Sequence, residues 1–374
     1  MIAALRSFCR SWGGTYLAQV LSGRFRFPMP SAGEGPVHFM ILVANHFEPI
    51  SNGWAHREAS QALRRWCSGI ESLGFKDGDG HPFKHTYFFP AEQYHPSFLE
   101  PLAAHCAAGF GEVEVHLHHG IDGPDTPASL ERTLHGFVDQ LVAHGCLARE
   151  TRTDRIGYSF AHGNWALANS AAGALCGVDN EMEILARTGC YMDCTLPSAP
   201  DRAQVAVINS IYQCGRPLTE RAPHRRSRPL RVGDTAPTLP ILLQGPLLLD
   251  WGRRMGRVPM PRLENGDLSA EAPPSAKRFR LWASTNVQVQ GAPTWVFIKL
   301  HAHGLIQRHR ESLLGDPMQR FLEELLSAYN DGVHHQVHFV TAREAANMIF
   351  AAVDKRTGDP GRYRDYRYVP LGAG

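Results

Sequence analysis

Residues Val37–Val43 (VHFMILV) read as a continuous apolar run, as expected of a strand buried on both faces. Such a strand needs a layer above it and a layer below it, and the chain supplies them by alternation. Ala55–Leu73 places Ala59, Ala62, Leu63, Trp66, Ile70 and Leu73 at helical spacing, and Gly74 can end the helix. His85–Phe89 reads as a second strand stopped by Pro90, Pro96–Ala108 as helix-compatible, and Glu112–His118 as a third strand. Ser129–His144 is an amphipathic helix through Leu130, Leu134, Phe137 and Leu141. Ile156–Phe160, Gly189–Cys194 and Val205–Asn209 follow as further short strands, and Thr294–Leu300 (TWVFIKL) as a strong one. Asp316-Pro317 opens a helix, Val337–Val340 is a last strand, and Thr341-Ala-Arg-Glu344 is a capping box that starts the final helix.

About seven strands alternating with helices predict an α/β architecture with a parallel sheet. An open doubly wound sheet and a closed barrel both fit this order. Two observations favour a distorted or incomplete (β/α)7-type barrel. No Gly-rich phosphate fingerprint follows the first strand, and polar residues gather at the C-terminal ends of several strands. On this reading residues 1–36 are an N-terminal helix and linker, 37–356 the barrel domain, and 357–374 a tail wrapping the surface. Residues 214–290, rich in Arg and Pro, are a long loop-rich insertion.

Composition narrows the partners. A net charge of +2 without a basic stripe gives no reason to expect nucleic acid. The eight cysteines form no C-x-x-C pair and read as buried thiols in a reducing compartment. No apolar h-region of a signal peptide precedes the first strand, and no window approaches the roughly 18 apolar residues of a membrane span. A cytoplasmic protein is expected. Leu5, Phe8, Trp12, Tyr16 and Val20 at helical spacing make residues 2–21 a surface helix or a peripheral membrane contact.

The strand ends carry the chemistry. The first runs into Asn45-His46-Phe47-Glu48, and the third into His116-Leu117-His118-His119. The fourth is followed by His162-Gly163-Asn164-Trp165, the fifth ends near Tyr191-Met192-Asp193, and the late one at His301-Ala302-His303. Residues at i and i+2 of an extended chain face the same way, so His46 with Glu48, His116 with His118 and His301 with His303 are matched pairs. His119 points to the opposite side unless the strand has already turned. Imidazoles with a carboxylate suit a divalent transition metal, with zinc the expected ion, and His46, Glu48, His116 and His118 are its candidate ligands. Glu48, Asp193 or Asp122 are candidate bases and His303 or His301 candidate acids, with His162 in the same catalytic set. Asn45, His119, Asn164, Trp165 and Tyr191 are expected to line the substrate side. Trp54, Trp165, Tyr191 and Trp251 are aromatic platforms suited to sugar rings.

Taken together, Asn45-His-Phe-Glu-Pro, His116-Leu-His-His, His162-Gly-Asn-Trp-Ala-Leu-Ala-Asn-Ser, Gly189-Cys-Tyr-Met-Asp, Lys299-Leu-His-Ala-His-Gly and Val340-Thr-Ala-Arg-Glu-Ala-Ala-Asn resemble a bacterial, exopolysaccharide-associated branch of the polysaccharide deacetylase-like proteins. The resemblance spans roughly Val37 to Tyr368. It implies an incomplete (β/α) barrel of the glycoside hydrolase/deacetylase superfamily, a divalent metal and a carbohydrate substrate. Asn45-His46 occupies the place of the Asp-Asp pair of the NodB-type enzymes, His116–His119 replaces their H-x-x-x-H spacing with a tighter group, and His301 or His303 matches their late acid. Three functions follow as expectations. The first is metal-dependent removal of acyl groups from a polysaccharide or its precursor. The second is glycosidic-bond hydrolysis, with Glu48 paired to Asp193 or Asp122. The third is a non-catalytic carbohydrate-binding or assembly role on a decayed site, signalled by Asn45.

Overall fold

The computed structural model describes residues 6–29, 35–252 and 254–371. Its centre is a mostly parallel sheet. The strands that build it are β1 Val37–His46, β2 His85–Pro90, β3 Gly111–Leu117, β4 Ile156–His162, β5 Cys190–Asp193, β6 Ser210–Cys214, β7 Ile241–Gln244, β8 Trp295–Ala302 and β9 His335–Val340. They run in the order β8-β1-β2-β3-β4-β5-β7-β6, every pair parallel except β7 with β6. β1 lies second in this order, pairs with three strands and is buried along its whole length. β8 pairs one edge of it from His38 to Asn45; the other edge is shared, with β9 taking Val37–Leu42 and β2 taking Ala44–His46.

Side-chain alternation along β1 divides the core in two. Phe39, Ile41 and Val43 pack with Val113, Val115 and Leu117 of β3 and Val296, Ile298 and Leu300 of β8 into a cluster covered by helices. These helices are α2 His56–Leu73, α3 Pro96–His105, α4 Pro127–Ala143, α5 Glu181–Thr188, α6 Ala276–Ser284 and α7 Asp316–Tyr329. Met40, Leu42 and Ala44 face the other way, onto α8 Ala342–Val353. All twelve residues of α8 are buried, so it is a core helix rather than an amphipathic one. Its Thr341–Glu344 capping box forms as the sequence predicts.

The sheet is strongly curled. Lys299 of β8 donates from Nζ to the carbonyl of Cys194, just past β5, at 2.7 Å. Five strand spacings separate β8 from β5 along the sheet, roughly 24 Å if it were flat. A lysine side chain cannot bridge that span, so the two sides of the sheet face each other across α8 and the polar residues above it.

Two segments depart from the sequence reading. The 214–290 stretch is not all excursion: Ile241–Gln244 is a buried strand inside the sheet, and α6 packs on β8. The strand expected at Val205–Asn209 lies instead at Ser210–Cys214. Asn209 turns the chain with φ +51, and its side chain accepts from Leu247 N and donates to Leu247 O. The tail, through Leu371, does more than wrap the surface. Asn347 of α8 donates to the carbonyls of Arg364 and Tyr368, and Arg343 donates to the same two carbonyls and to Glu112.

Of residues 2–21, the first four lie outside the described residues. A π-helical turn at Phe8–Trp12 leads into α1 Gly13–Leu21. Trp12 and Tyr16 are buried against Ala199, Ile208, Leu247 and Leu248, while Leu17, Val20 and Leu21 are exposed. No helix among the described residues is long and apolar enough to cross a membrane.

Candidate metal centre

The face of the sheet that carries α8 ends, at the C-terminal edge, in imidazoles. His46 continues the Met40, Leu42, Ala44 series of β1, and His116 continues the Glu112, Glu114 series of β3. Glu48 reaches between them. Its Oε1 lies 3.4 Å from His116 Nε2 and 3.6 Å from His118 Nε2. On its other side the ligand atoms of Glu48, His46 and His303 also fall within 4.8 Å of one another. The His46 ring sits 4.6 Å from that of His116 and 5.0 Å from that of His303. One carboxylate thus joins two triads, Glu48–His116–His118 and His46–Glu48–His303, and all four sequence-predicted ligands are at one place.

The outer contacts set the ring tautomers. His116 Nδ1 is 2.7 Å from the carbonyl of Ala161, so Nδ1 carries the proton and the lone pair of the buried, unpartnered Nε2 faces Glu48. His118 Nδ1 is 2.5 Å from Glu92 Oε1, which leaves its Nε2 facing the same carboxylate. A carboxylate behind a histidine is the usual support of a metal-ligating imidazole. Burial by itself would lower the His118 pKa, but the Glu92 carboxylate outweighs it and the net shift is upward. Burial likewise opposes charge on Glu48, yet the adjacent His116, Ser51 and His303 outweigh it and hold its pKa down to about 2. His46 is pushed well below the ordinary histidine range by burial, then by His116 and His303. His303 is lowered mainly by burial. The result is one anionic carboxylate among imidazoles, of which His46 and His303 are held toward the neutral form, a donor set suited to a divalent cation.

Gly163 fixes the position of one ligand. It lies against His118 so closely that a Cβ would collide with the imidazole ring. Gly163→Ala is therefore expected to turn His118 away from Glu48 and weaken metal binding about 10–100-fold, the range seen when a ligand's outer support is disturbed. Competition with a chromophoric chelator measures this, and unchanged affinity would mean that His118 is not a ligand.

His119, expected among the substrate-lining residues, takes the face opposite His118, away from Glu48, as strand alternation implies. There it meets His162, and with Cys176 and Glu181 these form a second buried cluster. His119 Nε2 is 3.1 Å from Glu181 Oε1, and His119 Nδ1 is 3.1 Å from Asp125 Oδ2. Glu181 Oε2 accepts from the backbone N–H of Ala168 and lies 3.4 Å from Cys176 Sγ. His162, expected in the catalytic set, belongs here because β4 presents it with Tyr158 and Phe160 on the helix-covered face.

Other expected site residues also lie elsewhere. Asn45 faces the helix side, accepts from Gly304 N at 2.8 Å and approaches His85 Nδ1 at 3.2 Å; it pins the His303 loop to β1 and touches no ligand atom of the cluster. Tyr191 is fully buried against Tyr368 and donates to Glu114, so it offers no face to a substrate. Asp193 is buried and held by the Thr195 hydroxyl and N–H; burial lifts its pKa to about 7. Asp122 is exposed in the loop after β3. Trp251 donates to Tyr16 beside α1. His301 lies 3.8 Å from Asp267, one turn of alternation behind His303. Asn164 and Trp165 are half-buried on the Gly163 loop, and Trp54 lines a cavity of about 310 Å³ with Trp66, Gly304 and Leu305.

Glu92, Glu181 and Cys176 are functional candidates that sequence reasoning missed. Glu92 lies in a 3-10 turn after β2 and Glu181 opens α5, and neither belongs to a spaced motif. The one available signal was Glu181 at a helix N-terminus, a common place for any carboxylate. The chain matches no protein-family model and no curated protein sequence.

Proposed function

We propose that this chain is a metal-dependent hydrolase acting on a carbohydrate, removing N- or O-acyl groups from a polysaccharide or its precursor. We propose further that its curled sheet is an incomplete (β/α) barrel. The observation that carries the reading is the convergence of His46, Glu48, His116, His118 and His303, from the ends of β1, β3 and β8, around one carboxylate. The spacings fit an ion: ligand bonds of about 2.0–2.1 Å at tetrahedral angles place neighbouring donor atoms roughly 3.3 Å apart. Glu48, His116 and His118 are the best-supported ligands, since His116 and His118 both have their Nδ1 protons engaged. Zinc suits this nitrogen and oxygen set. A bound divalent ion supplies a Lewis acid for the acyl carbonyl and a water of lowered pKa.

The remaining residues handle protons. His303 is half-buried beside Glu48 and His46, and desolvation lowers its pKa and favours the neutral ring. It accepts the proton of the attacking water and returns it to the departing amine or alcohol. His301, with Asp267 behind it, backs this position. Lys299 and Asn45 hold the β8 end in place through Cys194 and Gly304. Asn45 sits on the far side of the sheet from the cluster, so its lack of a carboxylate takes nothing from this set of groups. Trp54, in a cavity that also carries Glu58, Gln61, Arg65 and Arg310, offers an aromatic face for a sugar ring with polar groups beside it. The exposed Leu17, Val20 and Leu21 support a peripheral membrane contact for a cytoplasmic enzyme of exopolysaccharide modification.

The test is metal analysis of the purified chain beside an acetate-release assay on an N-acetylated hexosamine oligosaccharide and an O-acetylated polysaccharide. Bound zinc and chelator-sensitive acetate release are expected. Metal-free protein after zinc loading would overturn the reading, and release of reducing ends in place of acetate would move it to glycosidic hydrolysis.

A further inference from the structure

We infer that His119, His162, Cys176 and Glu181 form a second, closed metal site of structural type. The four groups come from separate segments: the turn after β3, the end of β4, the 163–180 loop and the first residue of α5. All are buried, and their ligand atoms lie within 4.8 Å of one another. From the Glu181 carboxylate the separations are 3.1 Å to His119 Nε2, 3.4 Å to Cys176 Sγ and 3.9 Å to His162 Nε2. Donor atoms around a tetrahedral zinc ion, with bonds of about 2.0–2.3 Å, stand roughly 3.3–3.7 Å apart. The set of two nitrogens, one sulfur and one oxygen is complete without water, as in structural sites.

Two further observations point to an ion. His162 Nε2 is fully buried and has no hydrogen-bond partner, which is costly for a polar atom at the edge of a carboxylate pocket. Behind His119, Asp125 holds Nδ1, so Nε2 is oriented toward the cluster by a carboxylate, just as Glu92 orients His118 in the first centre. His162 Nδ1 now accepts the Asn164 N–H at 3.2 Å. Ligation through Nε2 transfers the His162 proton to Nδ1 and ends that bond, so loading the site also moves the Gly163–Trp165 loop.

Gly120 lets the segments meet: its φ is +66, and a Cβ there would strike the backbone of Cys176. Because His118 and His119 are neighbours, an ion on one side of the sheet fixes the turn that presents a ligand on the other. The inference does not depend on hydrolase activity.

The test loads the full chain with zinc, desalts it and counts metal. Two ions per chain are expected, one in Cys176→Ser, one in His116→Ala and none in the double variant. Cobalt reconstitution gives an independent reading on the unaltered protein. An intense near-ultraviolet thiolate-to-cobalt band is expected, kept in His116→Ala and lost in Cys176→Ser. Absence of that band from the cobalt-loaded parent, or unchanged metal content in Cys176→Ser, would overturn the second site. If the first centre holds no ion instead, the parent and His116→Ala each carry one ion and Cys176→Ser carries none.

Discussion

On the proposed function, His116→Ala is expected to prevent the first centre from holding an ion and to reduce acyl hydrolysis by roughly a thousandfold or more, because a bound ion would contribute several kcal/mol of charge stabilisation to such a reaction. His116 is fully buried, its Nδ1 is tied to Ala161 and its Nε2 faces Glu48, so its loss removes a preset donor. Glu92→Gln is the graded companion. It keeps the shape and removes the charge behind His118, and about a 10–100-fold fall in metal affinity is expected, with activity recovered at high zinc. His118→Ala should behave like His116→Ala, whereas His119→Ala should leave the first centre's ion in place. Metal content and acetate release measured on the same preparations decide the matter, with far-ultraviolet circular dichroism to verify folding. A folded His116→Ala protein with full metal and full turnover would sink the assignment.

The largest stability effect is expected from Arg364→Ala. Arg364 is buried and donates to Asp77, Asp79, Glu344 and the carbonyl of Phe339. Its removal leaves buried carboxylates, with Lys84 the remaining cation on Glu344. Breaking a buried ionic network by deleting one partner costs about 3–5 kcal/mol. A urea midpoint shift at unchanged slope reads this directly. The pH response carries its own sign. Burial would raise the Glu344 pKa, but Lys84 and Arg364 overcome it and hold it down at about 2. A depressed folded pKa gives stability that is present above the ordinary glutamate range and lost as pH falls toward 2. The variant, lacking one of those cations, should lose less of its remaining stability over that acid window. A midpoint unchanged by the substitution would show that the network contributes nothing net.

How much of this was legible in the sequence depends on the range of the interaction. β1, β3 and β8 were readable because apolar runs and period-2 alternation are local, and so were the paired imidazoles at their ends. The same alternation separates His119 from His118. In β4 the alternation of Ile156, Tyr158 and Phe160 likewise sets His162 on the helix-covered face. Asn45 and Tyr191 looked like site residues because they adjoin motifs, yet Asn45 sits one residue out of phase with His46, and Tyr191 is consumed by Glu114. β7 was missed because four residues, Ile241–Gln244, sit between Pro240 and Pro246, too short a run to read as a strand before it pairs with β5 and β6. Glu92, Cys176 and Glu181 gain their roles from packing across the chain, and no spacing announces them.

The placement of β1 has a consequence for biosynthesis. Its partners along both edges include Trp295–Ala302 and His335–Val340, which are translated long after it. At about 5–20 residues per second, roughly 13–50 s pass between emergence of β1 and emergence of β8. During that interval the most apolar strand of the chain has only β2 to pair with, through three residues. The molecule is therefore a late closer: β1 gains most of its strand pairing only once Trp295–Ala302 and His335–Val340 are made.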